Sequence, residues 1–472
     1  MPRAEPGPCR YAVPAQLGVE GQAYSCGDLV VWENRATKVR TIKVHYIKIE
    51  SASASPNATI YLDGGPGGDG QNILSYAAYL GAPFIDGLRV DGDFLVISQR
   101  GTARSVPFLD CAQADCSDMA AAHDLTAYNT AENADDVDDL RAVLGYPKLN
   151  VYGISYGSRL GLEVLRRHGD TVRAAVIEGL VPSSVVWPAG TAKGFYSALT
   201  GLAESCTAAG ACGTAFGNLV AKFSTAVSVL NANPVSINVQ GAPFALDGYT
   251  LASVLFSLMY SKSSYTWLPM VLSDLAERRT DRVGTFLANV LSGSGGSDIS
   301  TGLYYGVVCG EMFSPPDDSA PTMFNAGLPA DIVAIFGGTF YSLEQTCATW
   351  PAGNHQAALA APVASAVRTL VSSGRLDPIT PPAYGTIAAA TLSNSVVVVH
   401  ANSGHGATLQ STCGTHNLTE FLADPNTPHD TSCAASITTT YQLPTAFAAL
   451  PTDYARIRAE MAFAPKLPPR RK

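Results

Sequence analysis

VYGISYGSRLG, Val151–Gly161, decides how the rest of the chain is read. Its first half is β-branched and aromatic, the composition of a strand, and that character ends at Gly153. Its second half has the apolar spacing of a helix. Between them stands Ser155, with Gly153 two residues before it and Gly157 two residues after it. Turning from strand to helix in so few residues strains the backbone at the serine, and small residues on either side keep it clear of neighbouring chain. The turn lifts the serine Oγ above the sheet edge. It also puts the N–H of Tyr156 at a helix N-terminus, where it can face developing negative charge.

Working outward, eight strand-like segments appear. LVVWEN (29–34) and TIKVHYIKI (41–49) read as an opening antiparallel pair with alternating faces. ATIYLD (58–63), DFLVIS (93–98), LNVYGI (149–154) and RAAVIEG (173–179) are short, apolar and ended by glycine or a polar turn. Helical patterns at 133–146 and 156–169 flank the third of these four, and alternation of this kind predicts a mostly parallel sheet with crossover helices on both faces. VRTLVSSG (367–374) and NSVVVVHANSG (394–404) come much later. The interval is helical in pattern (249–261, 266–279, 283–293) and broken by GSGGSDISTG (293–302) and by proline-rich turns. The expected organisation is an α/β core over 1–182, a helical lid over 183–362 inserted after the sixth strand, and the rest of the core over 363–472. Ligands bind at the C-terminal edge of such sheets, which the lid would cover.

A serine nucleophile needs a base and an acid to orient it. For a serine on this turn the acid follows in the chain, and the histidine follows the acid. Asp377, in SGRLDPITPP just past the seventh strand, and His405, in HANSGHGAT past the eighth, stand at those places. His400 competes with His405 but lies at the strand end itself. A second oxyanion donor is expected after the third strand, in YLDGGPGGDG (61–70), where glycines let a backbone N–H approach a carbonyl closely; Gly65 is the candidate, beside Tyr156. The same loop spells G-x-G-x-x-G, yet Pro66 interrupts the turn and no clear helix opens at the glycines, so a dinucleotide site is not expected.

Composition sets the outer limits. In 472 residues, 47% are hydrophobic and 15% charged, enough for a sizeable core. A net charge of −9 with no internal Lys/Arg block argues against nucleic acid as a partner. No apolar run reaches the roughly 18 residues of a membrane span, and the start of the chain lacks the apolar stretch of an export signal. Ten cysteines nevertheless fall as near neighbours: Cys9 and Cys26, Cys111 and Cys116, Cys206 and Cys212, Cys309 and Cys347, Cys413 and Cys433. Five sequential bridges, and therefore a secreted or periplasmic chain whose signal has been removed, are expected. No C-x-x-C or H-E-x-x-H occurs, and acyl transfer by a serine requires neither metal nor organic cofactor.

Several stretches together resemble the α/β-hydrolase serine peptidases of prolyl iminopeptidase and secreted tripeptidyl aminopeptidase type. GGPGG (64–68) is similar to their oxyanion loop, QRGTARS (99–105) to their DQRGxGxS, and 152–182 to their nucleophile turn and following strand. VVCGEMF (307–313), GRLDPITPP (374–382) and SGHG (403–406) are similar to their lid cysteine, acid and histidine segments. Ser98 and Ala103 depart from the pattern, as does Asp63 before the glycines, and Glu178 stands for the usual Asp. The resemblance implies hydrolysis of amide bonds near a free peptide N-terminus. A carboxylate would read the α-ammonium, with Glu311 and Glu178 as candidates. Arg100 is expected to buttress the oxyanion loop. An esterase or amidase acting on a small non-peptide substrate through the same residues is the alternative, and oligomeric state is left open.

Overall fold

The computed structural model describes residues 1–110, 117–239, 241–291, 299–313, 319–444 and 454–461. Its strands are β1 (Arg3–Pro6), β2 (Tyr24–Trp32), β3 (Thr41–Ile49), β4 (Ala58–Leu62), β5 (Asp93–Ile97), β6 (Leu149–Ile154), β7 (Val172–Glu178), β8 (Val235–Val239), β9 (Ala242–Leu246), β10 (Arg368–Gly374) and β11 (Ser395–His400). Nine of them form one sheet in the order β1-β2-β3-β5-β4-β6-β7-β10-β11. β1, β2, β3 and β5 pair antiparallel along the first edge, and every pairing from β5 to β11 is parallel. All eight strands expected from sequence are present. The ninth, β1, is a four-residue edge strand, RAEP, too short and too polar to announce itself by alternation.

The central strands are mostly apolar and buried along their whole length because both faces are covered. Every residue of β4 and β6 is buried. One face packs Ile60, Leu62, Val151 and Ile177 against the helices Thr130–Leu144 and Tyr156–His168, and the other packs Tyr61, Tyr152, Val176 and Leu370 against Gln71–Leu80 and Thr412–Ala423. Thr130–Leu144 is capped as its sequence suggests. The Asn129 side chain accepts from the Glu132 N–H, and Gly145 ends the helix at φ 82°.

Between β7 and β10 the chain builds a second body over the C-terminal edge of the sheet. It has its own apolar centre, where Phe195 packs 4.7 Å from Phe336 and 5.3 Å from Phe223, ring centre to ring centre. It is not wholly helical. β8 and β9 form an antiparallel hairpin turned at Gly241 (φ 84°). The β-branched run PVSINV was masked by the helical pattern on either side of it.

Disulfides join Cys9–Cys26, Cys206–Cys212, Cys309–Cys347 and Cys413–Cys433. The expected Cys111–Cys116 bridge lies outside the described residues. Among the described residues no helix is long and apolar enough to cross a membrane.

Arg100 does not buttress the oxyanion loop. Its guanidinium is fully buried and turned the other way, with Nε 2.7 Å and Nη2 2.8 Å from the Asp136 carboxylate, and Nη1 donating to the carbonyls of Glu33 and Ala127. It ties the end of β2 to the helix Thr130–Leu144. Arg100→Met is expected to leave Asp136 half-compensated by Arg35 and its carbonyl partners unfilled, lowering unfolding stability by about 3 kcal/mol in urea titration.

Candidate active site

Ser155 ends β6 and begins the helix Tyr156–His168 at φ 60°, ψ −126°. Residues with side chains rarely adopt this backbone, and it persists only where its surroundings hold it. The Ser155 N–H donates to the Glu178 carbonyl (2.9 Å), and Ser158 donates both its N–H and its hydroxyl to the Ser155 carbonyl. The flanking glycines are steric requirements. A Cβ on Gly153 would lie 2.2 Å from the Gly157 carbonyl oxygen, and one on Gly157 would lie 2.0 Å from that of Leu62.

The loop after β4 comes equally close. A Cβ on Gly64 would meet the Ser155 Cβ at 2.8 Å, and Gly65 turns at φ 114°. Gly65, Ser155 and Tyr156 line one cleft with Val181, Trp187, Tyr260, Ile379 and Thr380. Asp63 faces away from it. Its carboxyl accepts from the Tyr61 hydroxyl and the Asn72 amide, both at 2.7 Å, and burial pushes it up to about 7. It is an anchor of the loop and not an amine site. Gln99 takes the part expected of Arg100, donating to the Asp63 carbonyl at 2.8 Å. Ser98, the departure from the family pattern, donates to Asp69 at the far end of the loop (2.8 Å).

Asp377 and His405 meet beneath the same cleft, where Asp377 Oδ2 lies 2.7 Å from His405 Nδ1 and both side chains are fully buried. Asp377 also caps its own turn, Oδ1 accepting the N–H groups of Ile379 and Thr380 at 2.9 Å each. The Tyr260 ring packs against the imidazole with centres 4.8 Å apart. His405 Nε2 is buried and has no hydrogen-bond partner among the described residues, the Ser155 hydroxyl included. His400 is buried without a partner for either ring nitrogen, and burial pushes it down to about 4.

Thr380 is a site residue that the sequence alone does not single out. Its hydroxyl donates to Asp377 Oδ2 (2.6 Å), and its oxygen lies 3.1 Å from His405 Nδ1, close enough to share that N–H. Its signal was the D-x-x-T spacing, which also serves an ordinary turn cap.

Neither acid expected to bind an amine reaches the cleft. Glu178 is completely buried and accepts from the Thr408 N–H (2.6 Å), the Thr408 hydroxyl and the Tyr152 hydroxyl (3.3 Å). Glu311 pairs with Arg159 Nε (3.1 Å) and accepts the Thr130 N–H (2.8 Å). The chain order that placed both near the sheet edge carries no information about which way they point.

Two family models match the chain, one described as alpha/beta hydrolase fold over residues 60–237 and one as TAP-like protein over 333–433. Between them they take in the nucleophile turn, the acid and the histidine. The chain belongs to the α/β-hydrolase family. It is 32% identical over 100 residues to the serine protease Hip1 of Mycobacterium tuberculosis, a stretch covering 21% of this chain and 19% of that one. It is also 32% identical over 96 residues to the proline iminopeptidase of Neisseria meningitidis, covering 20% and 26%. The matches thus span about a quarter or less of those relatives' lengths. A thermophilic esterase from Thermogutta terrifontis aligns over 85% of this chain and 99% of its own, with 14% identity and a TM-score of 0.39.

Two substitutions separate positioning from binding. Thr380→Val removes the shared hydroxyl while keeping the branch; kcat should fall about tenfold with KM unchanged in steady-state kinetics. Glu311→Gln leaves Arg159 buried without its charge partner; denaturant unfolding should show a loss of about 3 kcal/mol, with no rise in KM.

Proposed function

We propose that this α/β-hydrolase is a serine hydrolase working through an acyl-enzyme, with Ser155 as nucleophile, His405 as base and Asp377 as the acid that orients it. The reading is carried by the strained Ser155 turn and the glycine loop sharing one cleft with Thr380 and Tyr260, the residues that contact the buried Asp377–His405 pair. In the first step His405 Nε2 takes the Ser155 proton as Oγ adds to the substrate carbonyl. The Tyr156 and Gly65 N–H groups receive the oxyanion, and the leaving group departs with the proton from His405. Water then attacks the ester with the roles reversed. Asp377 fixes the imidazole tautomer with Nδ1–H toward itself.

The finer reading is an exopeptidase that cleaves amide bonds near a free peptide N-terminus. Its support is the likeness to a serine protease over 100 residues and to a proline iminopeptidase over 96 residues. One observation favours a second reading, an esterase or amidase on a small non-peptide substrate: no acidic side chain is among the described residues lining the cleft. The four bridges between sequence neighbours support an oxidising, exported setting.

Hydrolysis of a short peptide amide with a free N-terminus should exceed that of its N-acetylated partner at least tenfold in kcat/KM, and Ser155→Ala should abolish both. Equal rates for the free and blocked peptides would overturn the exopeptidase reading and leave the esterase. Undiminished turnover by Ser155→Ala would overturn the nucleophile.

A further inference from the structure

Glu178 is a buried carboxylate for which the reaction just described has no use. Its side chain is sealed at the end of β7, and among the described residues it has no lysine or arginine partner. The groups facing it are phenols and one imidazole. Tyr61 from β4, Tyr152 from β6 and Tyr76 from the helix Gln71–Leu80 surround it, each held well above its ordinary range by burial and so uncharged. His405 is the one group nearby that can become a cation and interact with it. Burial pushes the Glu178 carboxyl up, and the hydrogen bonds from Thr408, the nearby His405 and the Tyr152 hydroxyl act in the other direction, toward the charged form.

Its contacts identify a purpose for it. Thr408 lies three residues beyond His405, and Glu178 grips it twice, through its N–H and its hydroxyl. On the strand side, the Glu178 carbonyl accepts the Ser155 N–H at 2.9 Å. The next residue, Gly179 (φ 53°), passes so close under the imidazole that a Cβ there would lie 2.9 Å from His405 Cε1. One residue therefore holds the nucleophile by its backbone and the histidine loop by its side chain.

We propose that Glu178 is a second positioning acid for His405: it tethers the histidine loop to the nucleophile strand, and its carboxylate favours the imidazolium formed when His405 takes the Ser155 proton. Asp377 fixes the ring from Nδ1, Thr380 shares that hydrogen bond, Tyr260 covers the ring from the lid, and Glu178 acts from below. The role rests on the serine-hydrolase reading and is independent of whether the substrate is a peptide. It also accounts for glutamate where the family pattern has aspartate, since the longer side chain spans the distance to Thr408.

The test is the rate of inactivation of the full chain by a fluorophosphonate across pH 5–9, which reports the basicity of His405 at Ser155 without a natural substrate. Ser155→Ala must be inert; if it reacts like the parent, the serine-hydrolase reading itself falls. With that control met, Glu178→Gln should move the acid limb to lower pH by at least about half a unit, because removing a negative charge makes imidazolium less favourable. Glu178→Asp keeps the charge but not the reach. It should leave the limb in place and lower the plateau rate at least about fivefold. An acid limb unmoved in Glu178→Gln overturns the proposal. Should that variant not fold, an unchanged plateau in Glu178→Asp overturns it equally.

Discussion

The site depends on how closely the backbone after β4 approaches the turn after β6. The two strands pair in parallel with Leu62 opposite Gly153, so the loops leaving them emerge side by side. At Gly64, Gly153 and Gly157 the neighbouring atoms stand 2.0–2.8 Å from where a Cβ would be, and no side chain fits at any of the three. This crowding forces Ser155 into its positive-φ backbone, and the same crowding brings the Gly65 peptide to the rim of the serine's cleft. The Ser155 turn and the glycine loop beside it are thus consequences of a single sheet register. Slipping β4 against β6 by one residue would lose both together.

Buried polar groups connect this rigid centre to the lid. Ser158, one turn into the nucleophile helix, accepts the Val181 N–H at 3.0 Å, and Arg159 beside it donates to the carbonyls of Pro182 and Ser183 while pairing with Glu311. The point where the chain leaves the sheet and the helix Thr301–Met312 at which the lid returns are therefore both held by consecutive residues of one helix. Such an ion pair adds little net stability against an apolar substitute, but breaking it leaves a buried charge, so it fixes geometry more than it supplies free energy. The Cys309–Cys347 bridge adds a covalent restraint to the same lid helix.

What was legible in the sequence follows from where the physics is local. Strand and helix alternation, the small residues around Ser155 and the order of Asp377 and His405 are each written in short windows, and the core strands were found from them. β1 was not, because an edge strand of four residues with a terminal proline has no face to alternate. The β8–β9 hairpin was lost inside a helical neighbourhood. The failures at the site are of another kind. Glu178 and Glu311 sit close to the sheet edge along the chain, yet the direction of each side chain is decided by partners 230 and 181 residues away, Thr408 and Thr130. Arg100 and Gln99 are neighbours in the turn after β5 that divide two structural tasks between them, and partners 36 residues away in each case, Asp136 and Asp63, decide which residue takes which. Thr380 reads as a turn cap because it is one; its second role exists only once His405 is beside it.

The cleft itself constrains what can be recognised. Its free volume is about 20 Å³, the space of roughly one water. Val181, Trp187 and Tyr260 wall it from the lid side, and Ile379 from the acid turn. These walls are apolar or aromatic, and among the described residues the lining carries no carboxylate. Discrimination at this point is therefore by shape and apolar contact, which distinguishes neighbouring side chains only weakly.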